Sequence, residues 1–234
     1  MPLPGRVPVG PWSPGRRAEG AWAAGHPPRP LGRPQPIAPD LDRLFALPSA
    51  AVALEAAASL IPTGTGAVCF ATVEGAAFDG VRREVRALLD ADAWRTGPPV
   101  GIERDDYGYS WLVSRRDPRA PPALVSDLHA VNSALEGGGF GPQLLCSVVG
   151  FRRQGPGGDA SAASGADGSD GDGMRLGIVY LYKRGTFCPF APLPGGGQRR
   201  DNALELRARA VLGEELRIEP ELSRWFPIWG APGL

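Results

Sequence analysis

The stretch Met174–Pro192, MRLGIVYLYKRGTFCPFAP, decides how the rest of the chain is read. Its first half is apolar, β-branched and aromatic, a composition that fits a pleated, buried strand. The run stops at Lys183-Arg184-Gly185 and passes directly into an aromatic, proline-broken turn. Gln143–Arg153 is a second apolar run, separated from the first by a Gly/Ala/Ser/Asp tract at 154–173. Two such runs most simply form an antiparallel hairpin with a long tip, because closure entropy grows only logarithmically with loop length. The tract holds no large apolar residue, so it is expected to be a disordered loop.

Working outward, Tyr107–Arg115 predicts a strand with Tyr109, Trp111 and Val113 on one side and Ser110, Leu112 and Ser114 on the other. Ala67–Thr72 predicts another. Ser49–Ser59 is alanine-rich and reads as helix or strand. The turn-forming cluster Pro62-Thr63-Gly64-Thr65-Gly66 after it favours strand, making a hairpin of the two. A short helix over Leu41–Leu47, capped by Asp40, is expected to stop at Pro48. Ala76–Ala91 predicts a helix with Phe78, Val81, Val85, Leu88 and Leu89 on one face. Pro122–Glu136 predicts another, striped by Leu124, Val125, Leu128, Val131 and Leu135 and stopped by Gly137-Gly138-Gly139. A third, capped by Asp201 or Asn202, runs to Leu212 with Leu204, Ala208 and Val211 inward. Mixed hairpins and helices define an α+β domain: two layers, a mainly antiparallel sheet and about three packed helices. Regular β-α-β alternation is missing, which disfavours a doubly wound nucleotide-binding sheet.

Residues 1–39 carry a dense share of the 26 prolines and several arginines without apolar periodicity, and are expected to be a disordered tail. Residues 40–234 then form a single domain. The formal net charge is zero, and outside the basic tail and the acidic tract the domain is nearly neutral. That argues against nucleic acid as a partner, which needs a clustered basic surface. The basic tail reads as a solvated segment. No run is long enough to span a membrane, and prolines interrupt any signal-like apolar core, so the expected location is the cytoplasm. The odd cysteine count, three, fits that compartment; Cys69 and Cys146 sit in apolar runs as small buried hydrophobes.

Catalytic machinery is not expected. The two histidines, His26 and His129, and the widely spaced cysteines lack metal-ligand spacing, and no cofactor is implied. Cys146, His129 and Asp127 are the one set from which a cysteine hydrolase could be assembled. Asp127 and His129 are two residues apart on one helix and diverge, and Asp127 points away from the apolar stripe. Asn132 falls on the inward face, where its carboxamide needs a partner on a neighbouring strand or loop. Gly195-Gly196-Gly197 precedes Arg199, Arg200 and a helix N-terminus, an arrangement that would suit a small anion or nucleotide, or simply a capped surface loop. Lys183, the only lysine, stands with Arg184 beside Phe187 and Phe190, and the tail adds Trp225 and Trp229. Arginine beside aromatic rings is the chemistry of docking surfaces. The tail aromatics read first as core and second as an anchor patch.

The stretches LDRLFALPSA (41–50), PTGTGAVCF (62–70), DDYGYSWLV (105–113), VSDLHAVNSALEGGGFGPQLLCSVVGF (125–151), YLYKRGTFCPFAPLPG (180–195), RRDNALEL (199–206) and LSRWFPIWGAPGL (222–234) resemble the PspA-associated PspAB family. The resemblance implies a role in the actinobacterial phage shock response to envelope stress. The implied partner is PspA, a coiled-coil membrane-stress protein, with any membrane contact indirect and peripheral. It implies no enzymatic activity, cofactor or catalytic residue. Members of that family begin with a short, basic Gly-Leu-Leu-rich helix; this chain has the proline-rich segment there, and its 154–173 tract is longer than the usual hairpin tip.

Overall fold

Alanine decides the first helix. Leu41–Ala46 forms a 3-10 turn that runs straight into α1 (Leu47–Ala58), so Ser49–Ser59 is helical and the strand expected there is corrected. Alanine is the best helix former, and Leu47, Ala50, Ala51 and Leu54 recur at helical spacing as the buried face. Pro48 sits in the first turn, where its missing N–H costs nothing, and so begins α1. In this computed structural model the described residues are 39–72, 75–91, 98–154, 173–195 and 197–234. The expected disordered tail and loop lie outside them, save for Pro39, Gln154 and Gly173.

Ser59 adopts a left-handed conformation and releases the chain into β1 (Leu60–Ala71). The Pro-Thr-Gly-Thr-Gly cluster is therefore no turn; it lies inside a strand whose register skips between Pro62 and Gly66. Gly64 absorbs the bulge at φ +77, and a Cβ there would stand 2.2 Å from the Arg116 carbonyl oxygen. Next come α2 (Ala76–Asp90), β2 (Gly101–Arg104), which sequence reading did not anticipate, and β3 (Tyr109–Arg115). Leu88 of α2 is exposed, against expectation, while Phe78, Val85 and Leu89 are buried.

Helix α3 (Pro121–Leu135) buries the whole expected stripe. Strands β4 (Leu144–Arg153) and β5 (Arg175–Leu181) pair antiparallel as the hairpin. Thr186–Phe190, expected as a turn, is a further strand, β6, paired antiparallel with β5. Its Pro189 is tolerated because β6 is an edge strand. Helix α4 (Asn202–Leu212) closes the regular structure. The sheet order is β2-β3-β1-β4-β5-β6, antiparallel throughout, which establishes the α+β class.

The two faces of the sheet have different covers. One carries Phe70, Leu112, Phe151, Ile178, Tyr180 and Phe187 and packs in the main core with α1, α2, α3 and α4. The other carries Ala67, Cys69, Trp111, Cys146, Val148, Val179, Cys188 and Phe190, and the C-terminal segment lies across it. A Cβ on Gly177 would come within 2.7 Å of Leu234 Cδ1, so glycine gives the strap its depth there. Gly64→Ala should lower the unfolding free energy by about 3 kcal/mol, from left-handed strain plus the carbonyl clash. Gly80→Ala, on α2 with open space around its Cβ, should raise it by about 0.5–1 kcal/mol. Urea midpoints of the two variants test both signs.

Candidate functional site

The basic corner is built by the reversal between β5 and β6. The backbone N–H groups of Arg184 and Gly185 both donate to the Leu181 carbonyl, at 3.0 and 2.9 Å. This turn aims the two cations differently. Arg184 folds inward, and its Nε donates to Glu219 Oε2 at 2.5 Å, where Thr186 Oγ1 also donates at 2.9 Å. Arg224 Nη1 stands 3.7 Å from the other oxygen of this fully buried carboxylate. The Glu219 backbone is used as well: its N–H donates to Phe187 O at 2.7 Å, and its carbonyl accepts from Trp225 Nε1 at 2.9 Å. Burial pushes the Glu219 carboxyl up, but the hydrogen bonds from Arg184 and Thr186 outweigh it and hold the group below its ordinary value. Lys183, by contrast, is exposed and has no ion partner among the described residues.

The expected aromatic docking patch is corrected here. Phe187 and Phe190 are each 1% exposed and Trp225 is 5% exposed. Phe187 packs on Tyr180 at 5.1 Å, Phe190 meets Trp229 edge-on at 5.0 Å, and the Arg209 guanidinium covers Trp225. The reason is the unanticipated strand: β6 places alternate residues on both covered faces of the sheet, so its rings complete the core. Trp229 is half-buried in the same interface. Of the residues expected on the patch, Lys183 alone is fully presented to solvent, and Arg184 is half-buried in its pairing with Glu219.

The anion site expected at Arg199 and Arg200 is not assembled. Arg200 donates through Nε and Nη2 to the two oxygens of Glu205, each at 2.9 Å, and through Nη1 to Trp225 O at 2.8 Å. Its guanidinium also faces the Phe190 ring at 5.5 Å. Buried Glu205 in turn accepts from the Ala191 N–H at 2.9 Å. The N-terminus of α4 already holds a carboxylate, since Asp201 Oδ1 accepts from the Leu204 N–H at 2.9 Å. Arg199 is exposed, but its neighbour is committed to the tail.

Cys146, His129 and Asp127 are kept apart. Asp127 is buried, correcting the expectation that it points away from the core. Its two oxygens accept from Arg116, Nη2 at 2.6 Å and Nε at 2.8 Å, and from the Ser114 hydroxyl. His129 faces Asp42 at 3.4 Å and stacks on Phe45 at 4.9 Å. Cys146 lies on the opposite face of the sheet, directly across from Cys69 in the β1–β4 register. A hydrogen bond with Cys69, then burial, then its neighbours push the Cys146 thiol well up. Burial first pushes Cys188 up to about 12. Both are therefore protonated and poorly nucleophilic at neutral pH. Asn132 behaves as expected: Nδ2 donates to Ser147 Oγ at 2.8 Å and to Leu128 O at 2.7 Å.

Sequence reading missed the acids Glu205 and Glu219 and the cation Arg116. Glu219 lies between Ile218 and Pro220 in a segment without periodicity, so no local pattern marks it. Among the described residues, no helix is long and apolar enough to cross a membrane, and no group of three or more His, Cys, Asp or Glu residues could hold a metal ion.

What the geometry defines is an α+β domain whose buried charges latch its own elements together. The chain belongs to the PspAB family: the family model for PspA associated protein B matches residues 28–233. No curated protein and no solved structure is detectably similar to the chain.

Because the folded carboxyl of Glu219 is held low, its contribution to stability is complete above the unfolded value of 4.5 and is lost as pH falls through the folded value. Stability measured by urea unfolding should drop across that acidic window, and Glu219→Gln should remove part of the slope. Native thiol labelling at neutral pH should be slow at all three cysteines and become complete on unfolding; fast labelling of native Cys146 would contradict its protonated, covered state.

Proposed function

We propose that the protein is a non-enzymatic adaptor that associates with PspA in the cytoplasmic response to envelope stress, the phage shock response, and meets the membrane only through that partner. The observation that carries this reading is the family match over residues 28–233, which takes in every described residue but Leu234. Two features of the site support it. The side chains that could have formed a hydrolase lie on opposite faces of the sheet, with their thiol protonated. The arginine best placed to grip a small anion holds Glu205 and Trp225 instead, which leaves the anion- or nucleotide-binding alternative without its main cation. A protein with these properties acts by what it contacts.

The test is capture of the intact protein from its native host under envelope stress, with the captured chains identified by mass spectrometry. PspA should be the enriched partner, and more of it should be captured under stress than without. Absence of PspA, with the bait folded and abundant, would overturn the adaptor reading.

A further inference from the structure

One surface feature is not used by the fold. Pro39, Glu136, Gly139, Gly141, Pro142, Tyr182 and Lys183 line an open, mainly apolar depression of about 510 Å³. Three separate parts of the chain meet there: the start of the folded domain, the loop after α3, and the β5–β6 corner. Its floor is fixed. Tyr182 is 3% exposed, and burial first, then Glu136, push its phenol up to about 12, so it stays protonated. Pro39 and Pro142 give rigid apolar walls, and glycines at 139 and 141 keep the space between them open.

The charges around it are unequally satisfied. Arg43 is paired with Asp40 at 2.7 Å and Arg184 with Glu219 at 2.5 Å. Lys183, at the rim, has no anion among the described residues. An exposed ammonium beside an apolar depression selects a ligand with a carboxylate next to an apolar side chain. Glu136, in the same depression, repels an anionic lipid surface or a multiply charged phosphate more strongly than it repels a single carboxylate. The opening is wide and shallow, which suits a side chain projecting from another protein better than an enclosed small molecule.

Resting on the adaptor reading, we infer that this depression is the PspA-docking notch: it takes an apolar side chain of PspA between Pro39 and Pro142, with an adjacent Asp or Glu of PspA on Lys183. The lone lysine then supplies orientation and register, and the apolar side chain supplies the desolvated contact.

The experiment is a titration of purified PspA with the intact protein and three variants, with melting temperature as the fold control. Lys183→Glu should weaken binding by about tenfold or more, since it replaces an attractive contact with a repulsive one. Lys183→Arg should bind within a few-fold of wild type. Gly141→Leu should also weaken binding: its backbone, at φ −51, accepts a side chain, and its Cβ, 3.2 Å from the Tyr182 hydroxyl, leads into the space. Wild-type affinity in both Lys183→Glu and Gly141→Leu, with PspA still bound, overturns the notch and leaves the adaptor reading standing. No binding by wild type overturns the adaptor reading and the notch together. Lys183-dependent binding to phosphatidylglycerol vesicles, with none to PspA, overturns protein docking in favour of lipid.

Discussion

A sheet buried on both faces needs two covers, and among the described residues helices supply only one of them. The large side chains of the first face, among them Phe70, Phe151, Ile178 and Tyr180, meet α1, α2, α3 and α4. The second face mixes small residues with Trp111 and Phe190 and is covered by a segment with almost no regular structure, Leu222–Leu234. An irregular cover has few backbone hydrogen bonds of its own and must be held by other means. Much of the remaining architecture serves that requirement. Ala67, Cys69, Cys146 and Gly177 lower the floor so that Trp225, Ile228, Trp229 and Leu234 can reach it. Burying one such large side chain contributes about 1.5–3 kcal/mol.

Apolar contact alone does not fix where an irregular segment lies. Two buried carboxylates do that here. Glu219 receives Arg184 and Thr186 from the corner and, through its backbone, ties β6 to the Trp225 indole. Glu205 receives Arg200, whose third nitrogen donor reaches the Trp225 carbonyl. Trp225 is thus gripped at its indole by the Glu219 backbone carbonyl and at its own carbonyl by Arg200, which Glu205 holds in place. A buried pair is weak support for stability by itself, but breaking one leaves a bare charge and costs about 3–5 kcal/mol. The arrangement therefore penalises misplacement of the tail far more than it rewards correct placement. Arginine suits this use because its planar fork can serve a carboxylate and a carbonyl together.

The parts of the fold legible in the sequence were those with a strong period or a clean stop. The stripe of α3, the Asp201 cap and the β4–β5 hairpin are of this kind. Ser49–Ser59 was misread because a turn-rich cluster followed it, and that cluster turned out to be a bulge within β1, with Gly64 absorbing the extra residue. Strand β6 was hidden by Pro189, which argues against a central strand but not against an edge. That error carried over to the site, because a turn would expose Phe187 and Phe190 whereas a doubly covered strand buries them. Glu205, Glu219 and the Arg116–Asp127 pair were illegible for a different reason. Each is defined by partners distant in sequence or across a layer, and no spacing rule encodes those.

The same interior argues about where function can reside. Arg184 and Arg200, which looked available in the sequence, are engaged with Glu219 and Glu205, and Arg116, which drew no notice there, is engaged with Asp127. The thiols of Cys146 and Cys188 are held protonated beneath the strap. Under the proposed adaptor reading, recognition falls to the surface. On that surface Lys183 differs from Arg184 beside it in one respect: the turn after Leu181 swings the one inward and leaves the other out. The geometry of a single reversal therefore sorts two adjacent cations into a structural latch and a free contact. In the proposed docking, lysine suits the second position, as a compact charge on a flexible stem that can adjust to a partner without a fixed fork.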